Sequence, residues 1–183
     1  MRLHRDRAQL LLVDLQERLL PKIQGSEPIL ASSRKMIQAA QILGLPITLT
    51  EQYPKGLGKT HTALASLLPD LKPIVKLHFS CPRHEGFLQT LAGHSRQQII
   101  LVGIETHVCV QQPALDLLAE GYHVFVCADA VGSRREFDYD VALLRMQADG
   151  AVITTTEAAI FELLDQAGTD QFKQVLDLIK QDP

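Results

Sequence analysis

The sequence has few cysteines, and nothing in their spacing pairs them. Its 183 residues include three cysteines, Cys81, Cys109 and Cys127, which lie far apart and form no CxxC pair. An odd and widely spaced set predicts neither a disulfide framework nor a zinc site. We therefore expect reduced thiols, which fit a reducing compartment.

The chain also lacks a strong charge and a long apolar stretch. Its formal net charge of −3 gives no electrostatic reason to expect nucleic acid as a partner. No apolar run is long enough to cross a bilayer, so we expect no membrane partner. Basic residues precede a short apolar run near the N-terminus, but Asp6 and Asp14 bracket that run and no small-residue cleavage site follows. We expect a mature N-terminus and a cytoplasmic location.

The sequence does contain short apolar runs that alternate with longer amphipathic segments. Six of these runs predict strands that are apolar on both faces: AQLLLVD, LPITLT, KPIVKL, RQQIILVG, YHVFVCADA and AVITT. The helical pattern over residues 26–44 has Ser26 as a candidate N-cap and Gly44 as its stop. Such strands separated by helices predict a parallel sheet covered on both sides, a three-layer α/β/α sandwich. Without repeats or linkers, residues 1–183 are expected to form a single domain.

The residues that end the predicted strands carry the functional signal, because ligands bind beyond the carboxyl ends of such strands where the winding reverses. Cys109 falls at a predicted helix N-terminus, where the helix dipole and free backbone N–H groups favour a thiolate. Lys76 would favour that thiolate further, and Asp14 would shuttle a proton. Backbone N–H groups in GIETHVC are candidates for an oxyanion hole. Pro113 requires the helix to begin close to Cys109, because a proline deeper in a helix removes a hydrogen-bond donor.

Each of these three side chains also has a structural interpretation. Cys109 is also compatible with inert core filler, Asp14 with a cap on the turn after the first strand, and Lys76 with a surface lysine at a strand end. Composition and spacing predict a cleft, but they do not establish a catalytic triad.

Further segments resemble a known family. In chain order, LLLVDLQ, TEQYPKGLGKT, IVKLHFS, GIETHVCV, GYHVFVCADA and GSRREFD resemble the isochorismatase-like cysteine hydrolases, and within them the isochorismatase domain-containing proteins. The likeness covers nearly the whole chain. It implies a Rossmann-like sheet of six parallel strands, a homo-oligomer, and hydrolysis through a covalent intermediate.

The resemblance assigns roles by position. The family's aspartate falls on Asp14, its lysine on Lys76 and its nucleophile on Cys109. A non-proline cis peptide maps to Ile104–Glu105, and the backbone N–H groups of Glu105 and Cys109 would form the oxyanion hole. In the implied reaction the sulfur attacks a carbonyl carbon, Asp14 carries the proton to the leaving group, Lys76 holds the negative charges, and water releases the acyl group.

The sequence differs from other members of the superfamily at positions that limit which reaction we expect. Nicotinamidases of this superfamily hold a metal with an aspartate and two histidines after the second strand. Here that loop has Glu51, Gln52 and Tyr53, and its only histidine, His61, lies well beyond. We therefore expect no metal and no cofactor. The presence of Cys109 favours a small-molecule amide or ester as substrate.

The pocket walls are harder to predict. Candidate substrate-binding residues are Gln16, Gln52, Tyr53 and Phe79. His107 lies near Cys109 but is not required as a base. Either arginine of GSRREFD is expected to pair with a carboxylate. Two alternatives to a hydrolase stay open: a catalytically silent oligomeric scaffold or regulatory protein, and a redox-responsive thiol protein.

Overall fold

A single parallel sheet organises the chain. A computed structural model describes residues 1–180, in which the sheet has six strands in the order β3-β2-β1-β4-β5-β6. The strands are β1 Ala8–Val13, β2 Ile47–Gln52, β3 Ile74–Lys76, β4 Gln98–Ile104, β5 His123–Gly132 and β6 Val152–Thr154. All neighbouring strands pair in parallel, which confirms the predicted sheet. The winding reverses between β1 and β4.

Helices cover both faces of this sheet. They are α1 Ser26–Leu43, α2 Pro54–Leu57, α3 Thr62–Ala65, α4 Phe87–Gly93, α5 Gln111–Ala119, α6 Glu136–Ala148, α7 Thr156–Leu164 and α8 Asp170–Lys180. Leu10 and Leu12 of β1 pack with α1, α7 and α8, whereas Leu11 and Val13 pack with α4, α5 and α6. Successive strand residues face opposite sides, so a strand buried on both faces is apolar throughout, as the sequence predicted.

The ends of the elements differ from the predictions in places. Helix α1 ends at Gly44, whose φ is 70°, as predicted, but Gly25 and not Ser26 is its N-cap. Gly25 has a φ of 68° and no side chain caps the helix, so Ser26 is already helical. Strand β2 runs on to Gln52 because its last residues pair with β3. Pro113 is the third residue of α5 and lies in its first turn, as its position required.

The predicted loop after β2 contains a short helix, α2, and a second short helix, α3, follows it before β3. None of the helices within residues 1–180 has both the length and the apolarity that crossing a bilayer requires.

Candidate active site

Asp14 stands at the carboxyl end of β1, where the chain turns with a φ of 53°. Its side chain is fully buried and both carboxylate oxygens accept hydrogen bonds. Thr50 Oγ1 donates to Oδ1 at 2.7 Å, and Lys76 Nζ donates to Oδ2 at 2.6 Å. Thr50 pairs with Val13 across β1 and β2, so the neighbouring strand supplies the first partner. These hydrogen bonds hold the Asp14 side chain in the site, so it does not cap a turn.

Lys76 ends the edge strand β3, yet its side chain is fully buried. Besides Asp14, its ammonium contacts Gln52 Oε1 at 2.8 Å and the carbonyl oxygens of Phe79 and His78 at 3.3 and 3.4 Å. These oxygens replace the water that the charge would have at the surface. The interpretation of Lys76 as a surface lysine is therefore wrong.

Cys109 lies in a π-helical turn, Thr106–Val110, which follows a cis peptide between Ile104 and Glu105. It is 5% exposed, and it lies near enough to Asp14 for each group to affect the pKa of the other. Three positions distant in the sequence thus meet at the point where the sheet changes its winding direction.

The electrostatics of this cluster correct one expectation. Burial, and then the Asp14 carboxylate, raise the pKa of the Cys109 thiol well above its ordinary value, and the Lys76 charge opposes them only in part. Cys109 is the fourth residue of the π turn, not the first residue of a helix, so it lies at the end of the first turn, where the effect of the helix dipole has fallen off. Burial and the nearby carboxylate therefore favour the neutral thiol, whereas the position predicted at a helix N-terminus favoured a thiolate.

The same burial acts on the base. It raises the pKa of Asp14, against the opposing effects of the Lys76 charge and of the hydrogen bonds from Lys76 and Thr50. A carboxylate with a raised pKa accepts a proton more readily than an ordinary aspartate does. A neutral thiol beside such a carboxylate is arranged for proton transfer from sulfur to oxygen.

A pocket of about 290 Å³ opens beside Cys109. Besides Cys109, it is lined by Leu19, Lys22, Gln52, Leu57, Phe79, Glu105, Val108 and Arg134. Of the four predicted substrate-binding residues, Gln52 and Phe79 line it. Asp14 and Lys76 lie buried behind the cysteine, so a bound molecule would meet the sulfur first.

The other two predicted substrate-binding residues do not line this pocket. Gln16 is fully buried, and its Nε2 donates to the carbonyl oxygens of Gln52 and Gly58 at 3.0 and 2.6 Å. Its Oε1 accepts from the Gln52 backbone N–H at 2.8 Å, so the whole amide is used in joining two loops. Tyr53 is 51% exposed and its ring lies over Gly56. The substrate-binding prediction is wrong for Gln16, and Tyr53 lies outside the pocket wall.

Other polar side chains near the site contact residues that do not line the pocket. Glu51 Oε1 accepts hydrogen bonds from the backbone and the hydroxyl of Thr60, both at 2.7 Å. His107 Nδ1 lies 2.9 Å from Ser133 Oγ. Within residues 1–180, no group of three or more His, Cys, Asp or Glu side chains is placed to hold a metal ion.

The arginines of GSRREFD do pair with carboxylates. Arg134 Nε donates to Glu105 Oε1 at 2.8 Å, and Arg135 Nε donates to Asp138 Oδ2 at 2.7 Å. The first pair belongs to the pocket wall. The hydrogen bond to Glu105 also raises the pKa of the Arg134 guanidinium, so this arginine stays charged.

The other two thiols are fully buried. Cys127 lies within β5, in the core as predicted, and burial raises its pKa. Cys81 lies in the same apolar cluster as Cys109, and burial raises its pKa well above the ordinary value. Neither lines the pocket, which leaves Cys109 as the thiol that a small molecule reaches.

Sequence reasoning missed several site residues. Thr50 carried a usable signal, because it stands at the end of the strand that adjoins Asp14. Lys22, Leu19 and Leu57 come from a short turn and the four-residue helix α2, which are too short for a periodic pattern, so nothing in the sequence placed them at the pocket.

Comparisons with known proteins identify the family of the chain. The family model described as isochorismatase domain matches residues 8–158. Isochorismatase domain-containing protein 1 of Salmo salar is 39% identical over 168 residues, which are 91% of this chain and 59% of the salmon protein. The chain thus spans about three fifths of that relative's length.

Solved structures are similar over the whole fold. The MAR1 ribonuclease of Caenorhabditis elegans superposes with a TM-score of 0.93 at 40% identity, covering 100% of this chain and 94% of that one. Two YcaC proteins each give a TM-score of 0.91 at 27% identity over 97% of this chain. The alignments cover 91% of the YcaC of Pseudomonas aeruginosa, solved with covalent acrylamide, and 90% of that of Escherichia coli, described as an octameric hydrolase of unknown specificity.

Proposed function

Since the chain belongs to the isochorismatase family, we propose that it is a cysteine-dependent hydrolase that acts on a small-molecule amide or ester. Cys109 is the nucleophile, Asp14 the general base and acid, and Lys76 the cation that balances the negative charge. The observation that supports this assignment most strongly is the buried Asp14–Lys76 pair, 2.6 Å apart, directly behind the one thiol that lines a pocket. The reaction needs no cofactor.

The first half of the proposed reaction forms a thioester. Asp14 takes the proton of the Cys109 thiol while the sulfur attacks the substrate carbonyl carbon. The backbone N–H groups of Glu105 and Cys109 are the proposed donors to the oxyanion that results. Asp14 then passes the proton to the leaving amine or alcohol as the C–N or C–O bond breaks.

The second half releases the acid. Asp14 takes a proton from water, the resulting hydroxide attacks the thioester carbonyl, and the thiolate leaves and recovers its proton. Lys76 stays within hydrogen-bonding distance of Asp14, and it offsets the charge while that charge is on oxygen or on sulfur. Gln52 Oε1 holds the lysine from the other side at 2.8 Å.

The raised pKa of both acidic groups suits this mechanism. A permanent thiolate would need no base, but a neutral thiol needs one in contact with it. Burial raises the pKa of Asp14 toward that of the groups it must deprotonate, and this improves a general base. A silent scaffold has no use for a buried ion pair, whose desolvation cost is high.

The pocket volume favours a small substrate. About 290 Å³ is at the lower end of the range of about 300–1,000 Å³ for drug-sized ligands. The ribonuclease named for the C. elegans relative makes RNA a compound to include in a substrate screen.

We further propose that the chain is a cytoplasmic homo-oligomer. Helix α6 exposes three large apolar side chains along one stripe, Phe137, Val141 and Leu144, at 76%, 46% and 66%. Their spacing of four and three residues puts them on one helix face, and an exposed stripe of this kind is typical of a protein contact. The octameric YcaC of E. coli has the same fold. The cytoplasmic location rests on the three unpaired cysteines.

A substrate screen with matched cysteine variants tests the hydrolase proposal. Small amides, small esters and single-stranded RNA are offered to the wild type, to Cys109→Ala and to Cys127→Ala. We expect turnover of an amide or ester that Cys109→Ala abolishes and Cys127→Ala retains, with circular dichroism showing that both variants are folded. Full activity of the folded Cys109→Ala variant would refute the proposal. An inactive wild type that captures a specific protein partner would favour the scaffold.

A further inference from the structure

Lys22 lines the same pocket as Cys109. It ends the short 3-10 turn Leu20–Lys22, which lies between β1 and α1, and its side chain is exposed. Among residues 1–180, no carboxylate oxygen lies within 4.0 Å of its ammonium group, unlike the charged pairs elsewhere in the fold. The charge of Lys22 is thus left available at the pocket.

The other charges of the pocket are already paired. Glu105 and Arg134 face each other across 2.8 Å, and the Glu105 side chain is only 10% exposed. Behind the cysteine, Asp14 and Lys76 form a second pair, and burial, which raises the pKa of Cys109, favours its neutral thiol. Lys22 therefore leaves the pocket with one positive charge in excess.

The rest of the wall is mainly apolar. Leu19, Leu57, Phe79 and Val108 stand among the charged residues. Apolar walls lower the local dielectric and so strengthen the attraction between a ligand charge and Lys22. A neutral ligand would fill the apolar part but leave the lysine without a partner.

We propose that the substrate carries an anionic group, such as a carboxylate, joined to the reacting carbonyl by a short apolar segment, and that Lys22 binds this group. The class is that of small amides or esters with a second, ionised acid. This assignment rests on the proposed function, since it takes Cys109 as the reacting end of the pocket. Lys22 is then a specificity-determining residue that does not take part in the bond changes.

Two alkylating reagents of nearly the same size test this without knowledge of the substrate. Iodoacetate is an anion and iodoacetamide is neutral, and both form a thioether with Cys109 as iodide leaves. The ratio of their rates at Cys109, followed by peptide mass spectrometry, isolates the effect of the negative charge. It is measured for the wild type, for Lys22→Met and for Lys72→Met. Lys72 is also exposed, but it precedes β3 at the opposite edge of the sheet, so it controls for the loss of one positive charge.

We expect Lys22→Met to lower the iodoacetate-to-iodoacetamide ratio by about two- to fivefold at low ionic strength. Lys72→Met should leave the ratio unchanged, and about 0.5 M salt should remove the difference between the variants. An unchanged ratio in Lys22→Met, or an equal fall in both variants, would overturn the inference. Failure of both reagents to label Cys109 in the folded wild type would instead contradict the proposed function, and this inference with it.

Discussion

Two pockets lie at opposite ends of the parallel strands, one at their amino ends (the amino edge) and one at their carboxyl ends (the carboxyl edge). The larger of the two is not the proposed active site. The pocket at the amino edge has about 630 Å³ and is lined by residues that precede β1, β4 and β5, among them Arg7, Arg96 and Tyr122. None of its lining residues is buried. The pocket beside Cys109, at the carboxyl edge, has about 290 Å³, and a buried ion pair lies behind its cysteine.

The difference follows from the direction of the strands. Parallel strands all end at one edge, so the residue after each strand meets the residues after its neighbours. At this edge β1, β2 and β3 contribute Asp14, Gln52 and Lys76 in turn, and the segment after β4 contributes Cys109. The volume of a pocket does not depend on the direction of the strands. The direction of the strands therefore indicates the site better than pocket volume does.

The strongest test of the comparison is the stability of the buried ion pair. Lys76→Met removes the cation and leaves the Asp14 carboxylate buried without its partner. We expect a loss of about 3–5 kcal/mol in the free energy of unfolding by urea. Arg2→Met is the control, because it breaks a pair whose side chains are 55% and 66% exposed and should cost at most about 1 kcal/mol. Equal losses of stability in the two variants would mean that the ion pair at the carboxyl edge contributes no more than an exposed pair does.

The pH dependence of activity tests the general base. Asp14 must be ionised to take the thiol proton, and burial raises its pKa above the ordinary aspartate value of 3.8. The kcat/KM should therefore fall by about tenfold per pH unit on an acid limb whose apparent pKa lies above that value. An acid limb with an apparent pKa at or below 3.8 would argue against a buried base.

The same pKa shift has a consequence for stability. The folded protein holds the Asp14 proton more tightly than the unfolded chain does. Protonated Asp14 therefore contributes favourably to the free energy of unfolding. This contribution is fully present below pH 3.8, and it is lost as the pH rises through the higher pKa of the folded state. Asp14→Asn should remove this component, which urea titrations between acid and neutral pH would detect as a flatter dependence.

A smaller effect is expected at the hydroxyl that orients the base. Thr50→Val removes the 2.7 Å hydrogen bond to Asp14 Oδ1 while preserving side-chain shape. We expect kcat to fall by about fivefold and stability by about 1 kcal/mol. Thr48→Val is the matched control, two residues earlier on the same strand and bonded to His94 instead of Asp14. If both variants lose the same activity, Thr50 does not position the base.

The smallest effect is expected at the amino edge. Glu120 lines the larger pocket and is exposed, so Glu120→Gln should leave kcat/KM within about twofold of the wild type. A large loss of activity in this variant would reverse the assignment of the two pockets.

The sequence predicted the sheet well because burial on both faces makes most residues of the central strands β1, β4 and β5 apolar. It also predicted Asp14 and Lys76 at strand ends, since strand polarity alone brings such residues together. What it could not predict depends on the path of irregular backbone. Gln16 follows Asp14 closely and is polar, but its amide donates to the carbonyl oxygens of Gln52 and Gly58, a contact that no periodic pattern encodes.

The protonation state of Cys109 was also beyond the sequence. The apolar run before it and the helical pattern after it predicted a helix N-terminus at the cysteine, but a π turn places it further inside. Whether the thiol ionises depends on burial and on the distance to Asp14, and both come from tertiary structure. Lys22 was missed for a related reason, because it reaches the pocket from a short turn between β1 and α1.

The most direct test of the central claim is to look for the covalent intermediate. The folded protein is mixed with an activated small ester, quenched after milliseconds to seconds, and mapped by peptide mass spectrometry. The account predicts one acyl group per chain, located on Cys109, which disappears as the acid is released and does not form on Cys81 or Cys127. Release of the acid by a folded protein that never carries an acyl group on Cys109 would contradict it.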